Sequence, residues 1–419
     1  MRVLVITPFY APDLGPSAPL YTMLCEDLAR MGHQVSVIAA VPHYPSGIVS
    51  PEFRGRLVQR EQRNGVDVTR VWVPSVNRAR LGQRLLTFIS YQLLTTFVAL
   101  RRRYDVLIAT NPSLEVGLPF GVLCGLRRKP AVFCVQDIYP DVGVKLEVFR
   151  HRPIIQVVDL MERFCLDRAR YVQVISEGFR QTLQARGLPD SKLVVIPNWI
   201  DTDFIRPMPH ENLFSTHWGL DHSFVVMYAG NIGLSQGLEH VVEATRLLAG
   251  EPSIRFVFVG DGAGKDGLQQ AARSSGLTNV QFIPIQPREL LPQVLASADV
   301  SLITLKRGVG ADSVPSKCYS ILASGRPVIA SVDQGSDTWN LIDRANCGLC
   351  VEPENPQALA EAILCLYKDE SYRARLGANG RAYVVQRHSR EAAAREFHRL
   401  LCALVPEEKV SSKETTTHG

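Results

Sequence analysis

Lys317 stands in a stretch that concentrates backbone punctuation around one cation. Residues 310–331 read GADSVPSKCYSILASGRPVIAS, with Asp312 the single acid among them. An apolar run at 300–304 precedes the stretch in the pattern of a strand, and a helix is expected over about 317–323. Pro315 suits an early helical position, where its absent N–H matters least, and Ser313 or Ser316 can cap. Amides at that helix start, with Lys306, Arg307 and Lys317 close in sequence, suit a diphosphate, whose charge a helix terminus and ammonium groups hold without a metal. Acids are sparse because the ligand is itself the anion.

Two glycine-rich stretches could share that work. In VVMYAGNIGLSQGLE, residues 225–239, an apolar strand runs into Gly230, Gly233 and Gly237 and then a helix. Such glycines let amides approach a phosphate, although a plain strand-turn-helix junction reads the same way. In FVFVGDGAGKDGLQ, Gly262, Gly264 and Gly267 fit GxGxxG in form only. The third glycine would fall inside the helix, and no acid ends the following strand, so a dinucleotide fingerprint is not supported. A P-loop is excluded because Val259 stands five residues before Gly264.

The nine cysteines share no spacing, and the one CxxC, Cys347 to Cys350, has no second pair to complete a zinc site. No metal and no cofactor are expected, and scattered thiols suit a reducing compartment. The apolar VLVI after Arg2 is too short for a signal-peptide core and reads as a first strand.

Those sites need a scaffold, and 419 residues exceed what one core usually organises. Short Val/Ile-rich runs alternate with helical stretches from end to end, the pattern of parallel sheets covered on both faces. Strands are expected at 2–6, 34–39, 66–73, 106–109, 131–135 and 171–175, and again at 224–228, 254–259, 280–283, 300–304, 328–330 and 348–351. Helices are expected at 21–31, ended by Gly32, and at 238–248 and 357–367. The proline-rich KLVVIPNWIDTDFIRPMP reads as a linker. The expected domains are 1–197 and 198–385, each Rossmann-like, then a C-terminal helix at 386–405 able to pack back on the first domain, and a polar, disordered tail at 406–419.

Charge is unevenly spread. Up to residue 200 the chain carries 25 basic and 16 acidic residues, and beyond it 21 and 25, so the net +5 hides two halves of opposite sign. Residues 54–103 hold eleven arginines against Glu61 and Asp67, and no lysine precedes Lys129. This is either a solvated face or a surface for something anionic. Residues 85–100, LLTFISYQLLTTFVAL, are uncharged but shorter than the ~20 residues that span a bilayer. They form either a helix buried on the first sheet or an interfacial helix whose flanking Arg78, Arg80, Arg84, Arg101, Arg102 and Arg103 hold lipid head groups. The expected anionic surface is a membrane, not nucleic acid.

In this order, DLARMGHQVSVIA, YAGNIGLSQGLEHVVEA, GDGAGKDGL and VPSKCYSILASGRPVIAS resemble the family 4 retaining glycosyltransferases of the GT-B fold, over the chain to about residue 400. The branch with colanic acid fucosyltransferase and the N-acetylfucosamine transferases of O-antigen synthesis is the most similar. The resemblance implies an α/β fold of two Rossmann-like domains whose parallel sheets face each other across a cleft. It implies sugar transfer from a nucleotide diphosphate sugar, with the donor on the second domain and the acceptor on the first. The family's N-terminal glycine loop corresponds to Gly15 and its acceptor loop to VFCVQDIYPD. By the same correspondence Gly230, Gly260 and Gly262 border the nucleotide, and Ser316 and Lys317 meet the diphosphate.

Departures from the family pattern bear on the contacts. The family's paired acids fall on Asp312 and Ser320, its second-domain Arg and Lys on Asn231 and Gln236, and its acceptor-loop His on Gln136. Lys306, Arg307 and Lys317 are the residues expected to compensate. With no evident nucleophile, retention implies an oxocarbenium-like state stabilised at the leaving diphosphate by Lys317, Lys306 and helix amides. Asp137 is expected to orient or deprotonate the acceptor hydroxyl, with Asp141 in reserve, and Gln136 can hydrogen-bond a sugar. A polyprenyl-diphosphate-linked glycan acceptor, met by a cytoplasmic enzyme peripheral on the inner face of the membrane, fits the arginine-rich segment. A sugar-nucleotide 2-epimerase and a non-catalytic sugar-nucleotide binder remain as alternatives. FIPIQP, residues 282–287, is the neighbourhood where base discrimination is expected.

Overall fold

Runs such as VLVI, VLIA and AVFCV are apolar at every position and buried at every position, because each lies in a sheet covered on both faces. The computed structural model describes residues 1–15, 17–44, 46–76, 81–139, 152–309 and 314–405. Arg78, Arg80, Asp141, Asp312, Ser313 and the tail from 406 therefore lie outside the described residues, as does the Arg84 side chain. The chain divides into two units, Met1–Pro197 joined by the segment that starts at Ala393, and Asn198–Ala392.

The first unit holds strands β1 (Arg2–Ile6), β2 (Gln34–Ala40), β3 (Val58–Arg63), β4 (Val66–Val71), β5 (Val106–Thr110), β6 (Ala131–Val135), β7 (Tyr171–Val174) and β8 (Leu193–Val195). Their order is β3-β4-β2-β1-β5-β6-β7-β8, and all pairs are parallel except β3 with β4. Sequence patterning did not anticipate β3 or β8. In β3, VQREQR alternates without an apolar face, and the hairpin turns on Asn64 and Gly65 at φ 47° and 82°, as a type I′ turn requires. β8 takes up the LVV that had read as linker, so the crossing to the second unit starts only after it.

The arginine-rich segment is consequently not one uniform surface. Arg60 and Arg63 decorate an edge strand, where charge discourages further strand pairing. Arg70 is 1 % exposed; it pairs with Glu61 at 2.7 Å and donates to the carbonyls of Tyr10 and Ala11, fixing the loop after β1. Arg102 is held by Asp67 at 2.8 Å.

Helices α1 (Ala18–Arg30), α2 (Leu81–Leu100), α3 (Ser113–Arg127), α4 (Arg152–Arg168) and α5 (Glu177–Ala185) accompany these strands among the described residues. Gly32 beyond α1 has φ +88°, the left-handed conformation expected past a helix end.

The second unit is all-parallel: β9 (Phe224–Ala229), β10 (Ile254–Val259), β11 (Val280–Ile283), β12 (Val300–Thr304), β13 (Val328–Ser331) and β14 (Gly348–Val351), in the order β11-β10-β9-β12-β13-β14. Its helices are α6 (Leu213–Trp218), α7 (Leu238–Leu247), α8 (Lys265–Ser274), α9 (Leu291–Ala296), α10 (Ser316–Ala323), α11 (Asp337–Ala345), α12 (Pro356–Lys368) and α13 (Glu370–Arg387). Last comes α14 (Arg390–Leu404), which begins in the second unit, where Arg390 meets Asp201 at 3.1 Å. The rest of α14 belongs to the first unit, where His398 Nδ1 lies 2.8 Å from His33 Nε2.

In each sheet the chain reverses its direction of growth once, between β1 and β5 and between β9 and β12. The carboxyl ends of strands beside such a reversal frame a crevice, the usual ligand position in open α/β sheets.

Candidate active site

In the second unit a cavity of about 460 Å3 lies at that position. Its wall is built from Gly230 and Asn231 after β9, Gly260 and Asp261 after β10, the 285–287 loop after β11, and Ser316, Lys317 and Ser320 on the first turns of α10. The volume is in the range of small-molecule sites.

The α10 terminus is open to a ligand. Side chains cap α6, α11, α12 and α13 through Asn212, Ser336, Asn355 and Asp369. No side chain caps α10. Pro315 stands at the cap position with extended backbone (φ −56°, ψ 131°) rather than inside the first turn, and Ser316 is already helical, so it does not cap. The Cys318 amide closes on the Pro315 carbonyl at 2.8 Å. A helix end of this kind carries partial positive charge and favours an anion.

Lys317 adds a full charge. Its Nζ is sealed from solvent, has no hydrogen-bond partner among the described residues, and rests 3.9 Å from the centre of the Tyr228 ring. Burial pulls its pKa down to about 7. A buried ammonium without a counter-ion is costly, and an anion bound in the cavity would relieve that cost. The Tyr228 hydroxyl in turn donates to the Asn231 carbonyl at 2.7 Å, so ring, lysine and glycine loop form one assembly.

Backbone packing fixes the two glycine loops against each other. The Gly230 amide donates to the Val259 carbonyl at 2.9 Å, Ile232 to Asp261 at 2.8 Å, and Gly264 to Ile232 at 2.9 Å. At Gly260 (φ +148°) a Cβ would fall 2.0 Å from the Gly230 oxygen, and at Gly262 (φ +154°) 2.5 Å from the Ile232 oxygen. These two glycines serve the contact between loops. Gly262 does not line the cavity, whereas Gly260 does.

Thus Gly230, Asn231, Gly260, Ser316, Lys317 and Ser320 come together. Gln236, Lys306 and Arg307 do not join them. Gln236 accepts from the Tyr228 hydroxyl at 3.2 Å, Lys306 pairs with Glu239 at 2.9 Å, and Arg307 turns to Glu352 at 3.2 Å and the Pro353 carbonyl. Closeness in sequence did not become convergence because the chain turns between 305 and 309, where Gly308 has φ +72°. Tyr228, Asp261, Leu291 and Leu295 were not singled out in the sequence. Tyr228, the aromatic residue just before the first glycine loop, was the available signal.

In the first unit the loop after β1 meets the loop after β2, and the loop after β6 meets α1 and the loop after β5. Asp13 accepts from the Gly15 amide at 2.8 Å and from the His43 amide at 2.9 Å. Gly15 is required for space, since a Cβ there would lie 2.2 Å from the Phe9 ring. Gln136 reaches the Tyr21 hydroxyl at 3.3 Å. Asn111 was not foreseen and clamps the second loop: its side chain accepts from the Gln136 amide at 2.8 Å and donates to the Asp137 carbonyl. Arg186 adds a bond to the Tyr139 carbonyl at 2.9 Å. Asp137 is exposed, yet the protein around it pushes its carboxyl pKa upward by desolvation. Beneath the loop, buried Glu162 is pushed up to about 7 by desolvation, opposed by contacts with Ser113 and Asn111.

Residues 19–199 match the family described as Glycosyl transferase 4-like domain, and residues 216–383 match Glycosyl transferases group 1. A protein named as the colanic acid biosynthesis glycosyl transferase WcaI of Escherichia coli (strain K12) is 29 % identical over 87 % of this chain and 91 % of its own. The chain is a family 4 glycosyltransferase of the GT-B fold.

Glycosyltransferase WbjE of Pseudomonas aeruginosa is 27 % identical over 80 % of this chain and 84 % of its own. Among solved structures, sucrose-phosphate synthase of Thermosynechococcus elongatus superposes with a TM-score of 0.73 at 19 % identity, covering 96 % of this chain and 99 % of that one. Anabaena HepE in complex with UDP superposes at 0.70 with 18 % identity, over 96 % and 100 % of the two chains. In the GT-B frame, the α10 cavity lies on the second unit and the Gln136–Asp137 loop on the first.

Proposed function

We propose that this glycosyltransferase takes its sugar from a nucleotide diphosphate sugar and moves it, with retention, to a polyprenyl-diphosphate-linked glycan in exopolysaccharide or O-antigen synthesis. One observation carries the donor half: an uncapped helix end and a sealed Lys317 with no hydrogen-bond partner among the described residues converge on one cavity. Both features favour an anion with two phosphates. The UDP complex of HepE and the colanic acid name of WcaI support the donor class and the pathway.

In this reading the bond between the anomeric carbon and the diphosphate oxygen breaks while charge collects on the leaving group. Lys317 and the α10 amides stabilise that charge, which is the main catalytic contribution, with no metal required. The acceptor hydroxyl attacks from the face the diphosphate leaves, and its proton passes to the departing phosphate or to Asp137. The raised Asp137 pKa brings that carboxylate closer to a useful base strength. Ile285, Gln286 and Pro287 line the same cavity and in this reading meet the base.

The test is incubation of the purified full chain with labelled nucleotide sugars and a membrane extract. Label entering solvent-extractable lipid is expected. Conversion of the free sugar nucleotide to its 2-epimer, or tight binding without turnover, would contradict the proposal and favour an epimerase or a binding protein.

A further inference from the structure

The first unit carries an apolar surface that neither the cavity nor the acceptor-side loops use. Helices α2, α3 and α4 lead into β5, β6 and β7, neighbours in a parallel sheet, and α3 packs between the other two. Right-handed crossovers place the three on one face of that sheet, running in the same direction. Glycines on α3 let α4 approach closely: a Cβ on Gly121 would lie 2.5 Å from the Phe164 ring.

On the outward side α2 exposes Leu86, Ile89, Leu93 and Phe97, three or four residues apart, as one ridge. Val157, Leu160 and Phe164 make a second ridge on α4, and Leu118 and Leu126 lie on α3. Each of these side chains is 39–71 % exposed. That is far more contiguous apolar surface than scattered single leucines would explain.

Because the helices are parallel, their carboxyl ends lie along one edge, and that edge is basic. Arg101 and Arg103 follow α2, Arg127 and Arg128 end α3, and Arg168 and Arg170 end α4, all exposed. The acids nearby are Asp105, occupied by Arg2 at 2.7 Å, and Asp167. Arg101 stacks on the Phe97 ring at 3.5 Å and Arg168 on the Phe164 ring at 5.1 Å, so cation and apolar ridge are physically joined. Among the described residues no helix is long and apolar enough to cross a membrane.

We infer that α2, α3 and α4 together form a face that lies on an anionic lipid bilayer, ridges in the acyl boundary and the arginine edge on lipid phosphates. A net positive rim, with guanidinium groups stacked on the outermost rings, is the pattern of an interfacial surface. This deepens the reading of a lipid-linked acceptor, and rests on it for its purpose. The face extends the expected α2 element to three helices, and its basic rim includes residues well beyond the 54–103 segment.

The test is flotation of the full chain with phosphatidylcholine vesicles with and without phosphatidylglycerol. Binding is expected only with the anionic lipid. Replacing Arg101, Arg103 and Arg128 with Ser should lower it roughly a hundredfold, at about fivefold per arginine, and flatten its salt dependence. Ile89→Ser with Leu93→Ser and Leu160→Ser should lower it at all salt concentrations, while nucleoside diphosphate binding, a readout of intact folding, stays unchanged. Undiminished vesicle binding in both variants overturns the inference, as does a wild-type chain that ignores vesicles and instead dimerises through this face. If vesicles bind as expected but no lipid-linked acceptor is ever glycosylated, the acceptor reading fails and the face stands.

Discussion

Among the described residues Lys317 has no carboxylate to answer its charge, and its pKa near 7 makes the proposed donor seat sensitive to pH. The protonated form binds an anion. Affinity for a nucleoside diphosphate should therefore be flat below about pH 7 and fall above it, by up to about tenfold per pH unit. Binding at pH 8 should take up a proton, visible as a calorimetric heat that depends on the buffer's ionisation enthalpy. In Lys317→Met the slope should vanish, with affinity already roughly ten- to a hundredfold lower through loss of a charge-assisted bond. An unchanged pH slope in that variant would place the titrating group elsewhere. Ser320 stands where the resemblance leads one to expect an acid, and it lines the same cavity as Lys317 without adding a negative charge there.

The elements that hold these residues do so through backbone contacts, and two substitutions separate the two halves of the enzyme. Gly262→Ala meets the Ile232 oxygen and a positive φ at once, and should cost about 1–3 kcal/mol of stability and weaken donor binding. Chemical denaturation alongside nucleotide titration checks both. Asn111→Ala removes the clamp on Gln136 and Asp137 and leaves an amide to satisfy elsewhere, about 1–3 kcal/mol. Transfer rate should fall while donor affinity stays at the wild-type value; loss of donor binding would contradict the assignment of this loop to the acceptor.

The same elements mark what the sequence could and could not convey. Continuous apolar runs located twelve strands, six of them to the residue, because burial on both faces leaves little choice of residue. β3 escaped because an edge hairpin needs no apolar face. Lys317 was legible through its glycine, proline and serine neighbours, which dictate a helix start. Lys306 and Arg307 read as its companions because loop direction is invisible in one dimension, and their partners Glu239 and Glu352 lie far along the chain. Asn111 escaped since a single amide at a strand end carries no pattern.

At the scale of the whole chain, α14 links the two units in sequence and is fastened to the first by the His33–His398 contact. That bond needs a neutral ring to accept, and desolvation pulls the His33 pKa to about 4. Since the folded value lies below the ordinary 6.5, the unfolded chain takes up the proton first on acidification. This contribution to stability is full above about pH 6.5 and is lost as pH falls toward 4. The thermal midpoint should drop across that window, and less steeply in His33→Gln; parallel curves would deny the clasp its role. Buried His388, also pulled down to about 4, acts with the same sign and keeps part of the slope in the variant.

A crystal structure of the protein with a nucleoside diphosphate, grown in the presence of a chelator, would show directly where a diphosphate rests. A phosphate oxygen is expected within about 3 Å of Lys317 Nζ and of the first amides of α10. Phosphates directed away from that helix end, or occupancy only when a divalent ion bridges them, would contradict that placement.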